Sequence, residues 1–204
     1  MVVYNPKTKT LFERDDKFKV KVGHLTDERF GYIDKWILTE KMDGTSVILS
    51  VGKNGDEFYG RTAKSQFTPA MAQYLETALT SACANLYDHG IEEADIYAEL
   101  FGEGIQGNPH GMRGMYLNVF DVRIGGFWLD LDNMTDVARK AGLNSVAVMG
   151  VTDISGAVKY VRDEQVGITG QLGYVEGVVA RTRKYLYDNQ GNRLTWKLKR
   201  SDFA

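Results

Sequence analysis

A single cysteine, Cys83, stands in 204 residues. It excludes an internal disulfide and cannot by itself build a thiolate zinc site. It falls in a helical pattern and reads as a small core residue. Proline is nearly as scarce, three residues in all, and no Pro/Ser-rich linker or low-complexity stretch divides the chain. No apolar run approaches the ~18 residues of a membrane span, and the first residues, Met1 to Pro6, lack the layout of a signal peptide. These absences set the expectation of a cytoplasmic protein with no membrane partner and no obligate protein partner. The three histidines, His24, His89 and His110, have no metal-binding spacing. His110 reads as a loop residue in solvent.

What is present is ordinary in bulk: 43% apolar and 25% charged residues, enough for a real core in one substantial domain. The net charge of −2 excludes a chain that is attractive to polyanions as a whole. The distribution is less even. Residues 181–200 hold Arg181, Arg183, Lys184, Arg193, Lys197, Lys199 and Arg200 against one acid, Asp188. Such a run is usually a solvated face, but it gains meaning if a phosphate must be held nearby.

Alternating apolar positions at Phe18, Val20 and Val22 suggest short strands or an extended arm over residues 1–34, packed on the same domain as residues 35–204. Residues 35–67 read as a β-meander punctuated by Asp43-Gly44, Asn54-Gly55 and Gly60. Pro69 opens a helix whose Met71, Leu75, Leu79, Ala82, Cys83 and Leu86 recur at helical spacing, and His89-Gly90 ends it. Strands are expected at 95–100, 117–122, 146–149, 175–180 and 194–198, with helices at 132–141 and 155–164. The sum is an α+β domain of antiparallel sheets flanked by helices.

Chemistry concentrates in Thr39-Glu40-Lys41-Met42-Asp43-Gly44-Thr45-Ser46. A lysine attacks only as the neutral amine, and its reference pKa near ~10 keeps it charged, so it needs partners. By itself the octet is an ordinary hairpin with an Asp-Gly turn. Glu99 ends a strand before a glycine-rich loop, where it could accept from a ribose hydroxyl or remain a solvated acid. Phe120 could stack on a base or fill the core. Arg61 could meet a phosphate or simply end a strand. In the 176–181 segment, alternation puts Glu176 on the side opposite Val179 and Arg181. Lys197 and Lys199 share one face of their strand, and two like charges there either lie in solvent or take an anion between them.

Lys41-x-Asp43-Gly44, the Glu99 strand, Phe120-Asp121, Glu176-Gly-Val-Val-x-Arg181 and Lys197-x-Lys199 resemble, in order, the motifs of the covalent nucleotidyltransferases. The wider text, from about residue 35 to the C-terminus, is most similar to ATP-dependent RNA ligases of the second phage T4 type. The resemblance implies an ATP-grasp-like ligase catalytic domain with no OB domain. It implies a lysyl–AMP intermediate on Lys41, with ATP and Mg²⁺ or Mn²⁺ as cofactors. Its expected partner is a nucleic acid carrying 5′-phosphate and 3′-hydroxyl ends, RNA favoured, as in RNA repair. By matching position, Lys197 and Lys199 would hold the α-phosphate and Glu176 the metal. Phe120 would stack on adenine, Arg61 and Glu99 would contact the ribose or phosphates, and Glu40, Asp43 and Gly44 would complete the nucleotide site. Members of that family often carry histidine where Asp43 stands, a residue shared with DNA ligases. A minimal DNA ligase, an enzyme that only adenylates 5′ ends, and a silent nucleic-acid-binding module remain alternatives.

Overall fold

Trp36 and Trp196 are both fully buried, and their rings meet edge to face at 5.4 Å between centroids. They are neighbours in space although 160 positions apart in sequence, and the sheet that joins them positions most of the charged site. In the computed structural model, which describes residues 7–52, 55–109, 111–163 and 176–204, the chain forms two compact units. One comprises Asp43–Val146, the other Lys7–Met42 with Ala147–Ala204.

In chain order the strands are β1 (Lys9–Thr10), β2 (Phe12–Arg14), β3 (Val20–Leu25), β4 (Trp36–Lys41), β5 (Thr45–Val51), β6 (Glu57–Gly60), β7 (Ala94–Gly102), β8 (Met115–Ile124), β9 (Phe127–Trp128), β10 (Asn144–Ser145), β11 (Val148–Thr152), β12 (Gly177–Arg181) and β13 (Trp196–Lys199). The α-helices are α1 (Pro69–Asp88), α2 (Leu131–Lys140) and α3 (Ile154–Asp163). The α+β class with antiparallel sheets is as expected. Two short pairings, β1 with β13 and β10 with β8, are parallel.

The second unit is built on a sheet of order β1-β13-β12-β4-β11, with β2 and β3 as a separate hairpin. One sheet face supplies Trp36, Leu38, Val178, Ala180, Trp196 and Leu198, and Leu11, Phe12, Phe30, Ala157 and Val161 pack with them into a single core. Each fully buried indole removes roughly 200 Å² from water, about 5 kcal/mol at ~25 cal/mol per Å². The residues that read as an N-terminal arm thus contribute both a sheet edge and core side chains to this unit.

The first unit carries the sheet β10-β8-β7-β5-β6, with β9 on β8. Helix α1 starts where the sequence places it: the Thr68 hydroxyl accepts from Met71 N at 3.3 Å and Pro69 takes the first turn. Its apolar stripe, Met71 to Leu86, is buried. Burial pushes the Cys83 thiol up to about 12, so this cysteine behaves as the core residue its position suggests.

One expectation fails. Strands β4 and β5, on either side of Asp43-Gly44, do not form a hairpin. β4 pairs with β12 and β11, and β5 pairs with β6 and β7, so the turn passes from one sheet to another. Gly44 permits this because a Cβ there would lie 2.3 Å from the Leu100 carbonyl oxygen. Lys53-Asn54 of the next expected turn, and His110, lie outside the described residues.

Candidate active site

In the second unit, β12 lies between β4 and β13 with Gly177 opposite both Lys41 and Lys199. Three adjacent strands therefore end in a row of lysine, glycine and lysine. Glu176, immediately before that glycine, spans the row. Its Oε2 accepts from Lys41 Nζ at 2.5 Å, and its Oε1 pairs with Lys199 Nζ. Lys41 Nζ also donates to the Met42 carbonyl at 3.3 Å. Glu176 is buried, whereas Lys41 and Lys199 are partly open to solvent. A carboxylate flanked by two ammoniums in a partly desolvated setting is a place where an incoming phosphate or cation meets charge already fixed.

The alternation argument misplaced Glu176. Regular strand begins only at Gly177, so the period-two rule does not extend back to it, and its side chain reaches the face of Lys41 and Lys199. Lys197 lies two residues before Lys199 on the same strand and pairs in register with Val179 and Thr10.

Lys199 is held from behind by residues that sequence reasoning passed over. Its backbone N–H donates to Asp202 Oδ2 at 2.8 Å, and the buried Asp202 carboxylate also takes Arg14 Nη2. The available signal was the family-like closing segment 197–203, in which Asp202 lies three residues past Lys199 in a short helical turn. Arg14, at |i−j| = 188 from Asp202, had none.

Glu40 is different. Strand alternation puts it on the core side with Trp36 and Leu38, opposite Lys41, and it pairs in register with Val178. It is 2% exposed, and neither carboxylate oxygen has a hydrogen-bond partner among the described residues. Burial raises its carboxyl above the ordinary glutamate value. A raised folded-state value means that the folded protein binds the proton more tightly. Its contribution to stability is therefore full below the ordinary value of ~4.3 and lost as pH rises through the shifted one. Glu40→Gln is expected to raise the unfolding midpoint at pH 8 by roughly 2–12 °C, corresponding to about 1–3 kcal/mol, because the amide brings no charge into the buried site. The gain should shrink towards pH 4.5. Equal gains at both pH values in thermal melts would refute the burial argument.

The other candidates belong to the first unit. Gly44 packs against the Leu100 backbone and the Glu99 side chain; Asp43 directly precedes it. Glu99 pairs in register with Ser46 on one side and Asn118 on the other. One strand over, Phe120 falls at the bulge of β8, where the register with β7 shifts between Tyr97, which pairs with Asp121, and Ala98, which pairs with Val119. Bulges re-aim a side chain out of the alternating pattern, and Phe120 is half-buried while its neighbours Val119 and Asp121 are buried. Arg61 is exposed just past the end of β6.

The sequence fits the RNA ligase family over residues 34–199. The chain belongs to the RNA ligase family. Among solved structures it is similar to Naegleria gruberi RNA ligase with pyrophosphate, at 16% identity and a TM-score of 0.63, covering 98% of this chain and 62% of that one. A variant of the Naegleria enzyme with AMP and Mn gives 15% identity and a TM-score of 0.64 over 96% of this chain and 60% of that one. This chain thus spans about three fifths of the length of those ligases. No curated protein matches it.

Within an RNA ligase fold a divalent cation needs oxygen donors. Among the described residues no three His, Cys, Asp or Glu side chains stand together as a metal cage. Glu176 fits the alternative in which one carboxylate shares the ion with substrate phosphates and water, the usual arrangement for Mg²⁺.

Proposed function

We propose that the protein is an ATP-dependent RNA ligase that works through a lysyl–AMP intermediate on Lys41. The observation that carries this reading is the Lys41–Glu176–Lys199 cluster, in which a lysine amine, a second lysine and one carboxylate lie within ion-pair distance. Lys41 Nζ attacks the α-phosphorus of ATP; an N–P bond forms, the bond to the bridging oxygen of pyrophosphate breaks, and the amine proton is lost. AMP then passes to a 5′-phosphate on RNA, and a 3′-hydroxyl attacks that activated end and expels AMP. Dividing one hard displacement into such steps is the gain of covalent catalysis.

Lys41 is engaged by Glu176 and the Met42 carbonyl, so its amine becomes free to attack once the carboxylate takes another counter-ion. Lys199, with Lys197 on the same face, binds the α-phosphate oxygens and offsets the charge developing there. Glu176 would hold a divalent cation, which would supply further positive charge for the phosphoryl transfer. Phe120, Glu99, Arg61, Asp43 and Gly44 keep the nucleotide roles that the family resemblance assigns them, whereas the Glu40 side chain, buried on the core side opposite Lys41, is turned away from that role. No described helix is long and apolar enough to cross a membrane; we place the enzyme in the cytoplasm.

The test is incubation with α-labelled ATP and Mg²⁺ or Mn²⁺, followed by 5′-phosphorylated single-stranded RNA, nicked RNA and nicked DNA. Label on the protein that chases to RNA 5′ ends and then leaves as AMP upon sealing is the expected result. Sealing of nicked DNA in preference to RNA would replace the reading with a minimal DNA ligase. Transfer without sealing would leave a 5′-adenylating enzyme. Absence of any adduct would leave a silent binding module.

A further inference from the structure

The cationic run at residues 181–200 is only partly absorbed by the site. Lys197 and Lys199 lie on β13, whereas Arg183, Lys184 and Arg193 lie in the connection between β12 and β13. That connection, residues 182–195, is a closed hairpin. Tyr187 and Arg193 bridge, Leu194 N donates to Leu186 O at 2.7 Å and Asp188 N to Asn192 O at 2.8 Å. Its only acid is consumed internally: Asp188 Oδ1 accepts from Gln190 N and Asn192 N at 2.9 and 2.8 Å, and Oδ2 from Asn192 Nδ2 at 3.1 Å. Asp188 also meets Arg29 at 3.5 Å, which ties the hairpin to the unit.

Aromatic rings alternate with the cations. Arg193 lies over the Tyr185 ring at 4.7 Å, and Arg181 donates to the Tyr185 hydroxyl at 3.0 Å. Tyr187 stands edge-on to Tyr185 at 6.4 Å and is 48% exposed. Arg183, Lys184 and Leu186 are exposed too. The result is a pre-ordered platform of exposed tyrosine and exposed cations, its one acid engaged by the turn's amides and by Arg29.

We propose that this hairpin is a docking surface for single-stranded RNA, with Arg183 and Lys184 on the phosphates and Tyr187 stacked on a base. Alternating rings and cations suit a strand whose bases are splayed and whose backbone carries regular charge. An acidic protein would use the cations and have no need of the stacking face. The hairpin joins the far ends of β12 and β13, whose near ends are Gly177 and Lys199, and its base lies about 13 Å from that row along the five residues of β12. A strand held there lies within a few nucleotides of an end positioned at the lysines. Naming RNA as the ligand rests on the ligase reading, but the surface can be tested without ATP.

The measurement is fluorescence anisotropy of a labelled, 5′-phosphorylated single-stranded RNA against the whole chain at several salt concentrations. Arg183→Ala with Lys184→Ala should reduce the slope of log K against log salt by about 1.4, the value for two fewer phosphate contacts on a single strand. Tyr187→Ala should weaken binding by about tenfold, with Tyr187→Phe retaining wild-type affinity. Thermal melts of each variant check that the hairpin still folds. Binding within twofold of wild type and an unchanged salt slope would overturn the proposal. So would competition by a polyglutamate peptide equal to that by RNA, with Tyr187→Ala silent. If hairpin variants lose RNA while no lysyl–AMP forms, the surface stands and the ligase reading falls; labelled protein whose hairpin variants bind RNA normally gives the reverse.

Discussion

Lys41→Ala is expected to abolish covalent labelling by ATP, with a loss of at least about a thousandfold, because no other group supplies the attacking nitrogen. The fold should survive. In the variant Glu176 keeps its pairing with Lys199, and Lys41 is partly solvent-exposed with no share in the core. Lys41→Arg separates two explanations of such a loss. A guanidinium keeps the positive charge beside Glu176 and retains fixed donors, but it is not a nucleophile at accessible pH. A nucleophilic role predicts that arginine is as inactive as alanine, whereas a charge-pairing role predicts substantial recovery. Mass spectrometry of the intact protein after incubation with ATP and Mg²⁺ reads the adduct directly. A retained adenylate in either variant would move the nucleophile elsewhere.

The parts of the fold governed by local rules were legible in the sequence. Helix α1 was readable from Pro69, its apolar stripe and the closing His89-Gly90, and its bounds, Pro69–Asp88, follow that pattern. The turn at Asp43-Gly44 was readable as a turn but not as a passage between sheets, because a strand's partner is not written in its own residues. β4 finds β12 through contacts such as Thr39 Oγ1 to Val179 O, separated by 140 positions. The face of Glu176 was misread for a related reason: alternation holds only inside regular strand, and the strand starts one residue later. Phe120 was legible as an aromatic at a strand end, while its bulge depends on the register between β7 and β8. Lys41, Glu176 and Lys199 could be named from motif order, but their meeting around one carboxylate is a product of three-strand pairing.

That pairing makes Gly177 a position where one added methyl acts directly on the site. A Cβ built there would lie 2.1 Å from the Leu198 carbonyl oxygen, 2.8 Å from Lys199 Cα and 3.0 Å from the Leu198 carbonyl carbon. All three are backbone atoms of β13, so no side chain can rotate away, and relief requires β13 to separate from β12. Gly177→Ala is therefore expected to destabilise the protein by about 3 kcal/mol, the upper range for overpacking. At this chain length that lowers the unfolding midpoint by roughly 6–12 °C. Gly191 is a control in the same unit. Its φ is +78° but nothing lies within 4 Å of its Cβ position, so alanine there bears only the left-handed backbone cost of about 1–2 kcal/mol. The two variants should differ in chemistry as well. Displacing β13 moves Lys199 away from Glu176, whereas a strained turn at Gly191 leaves the strand ends in place. In thermal melts paired with ATP labelling, Gly177→Ala should lose most adduct formation even well below its midpoint, while Gly191→Ala should keep it. Comparable melting and labelling in the two would mean that β13 yields easily, and that the tight row of Lys41, Gly177 and Lys199 is not what holds the cluster together.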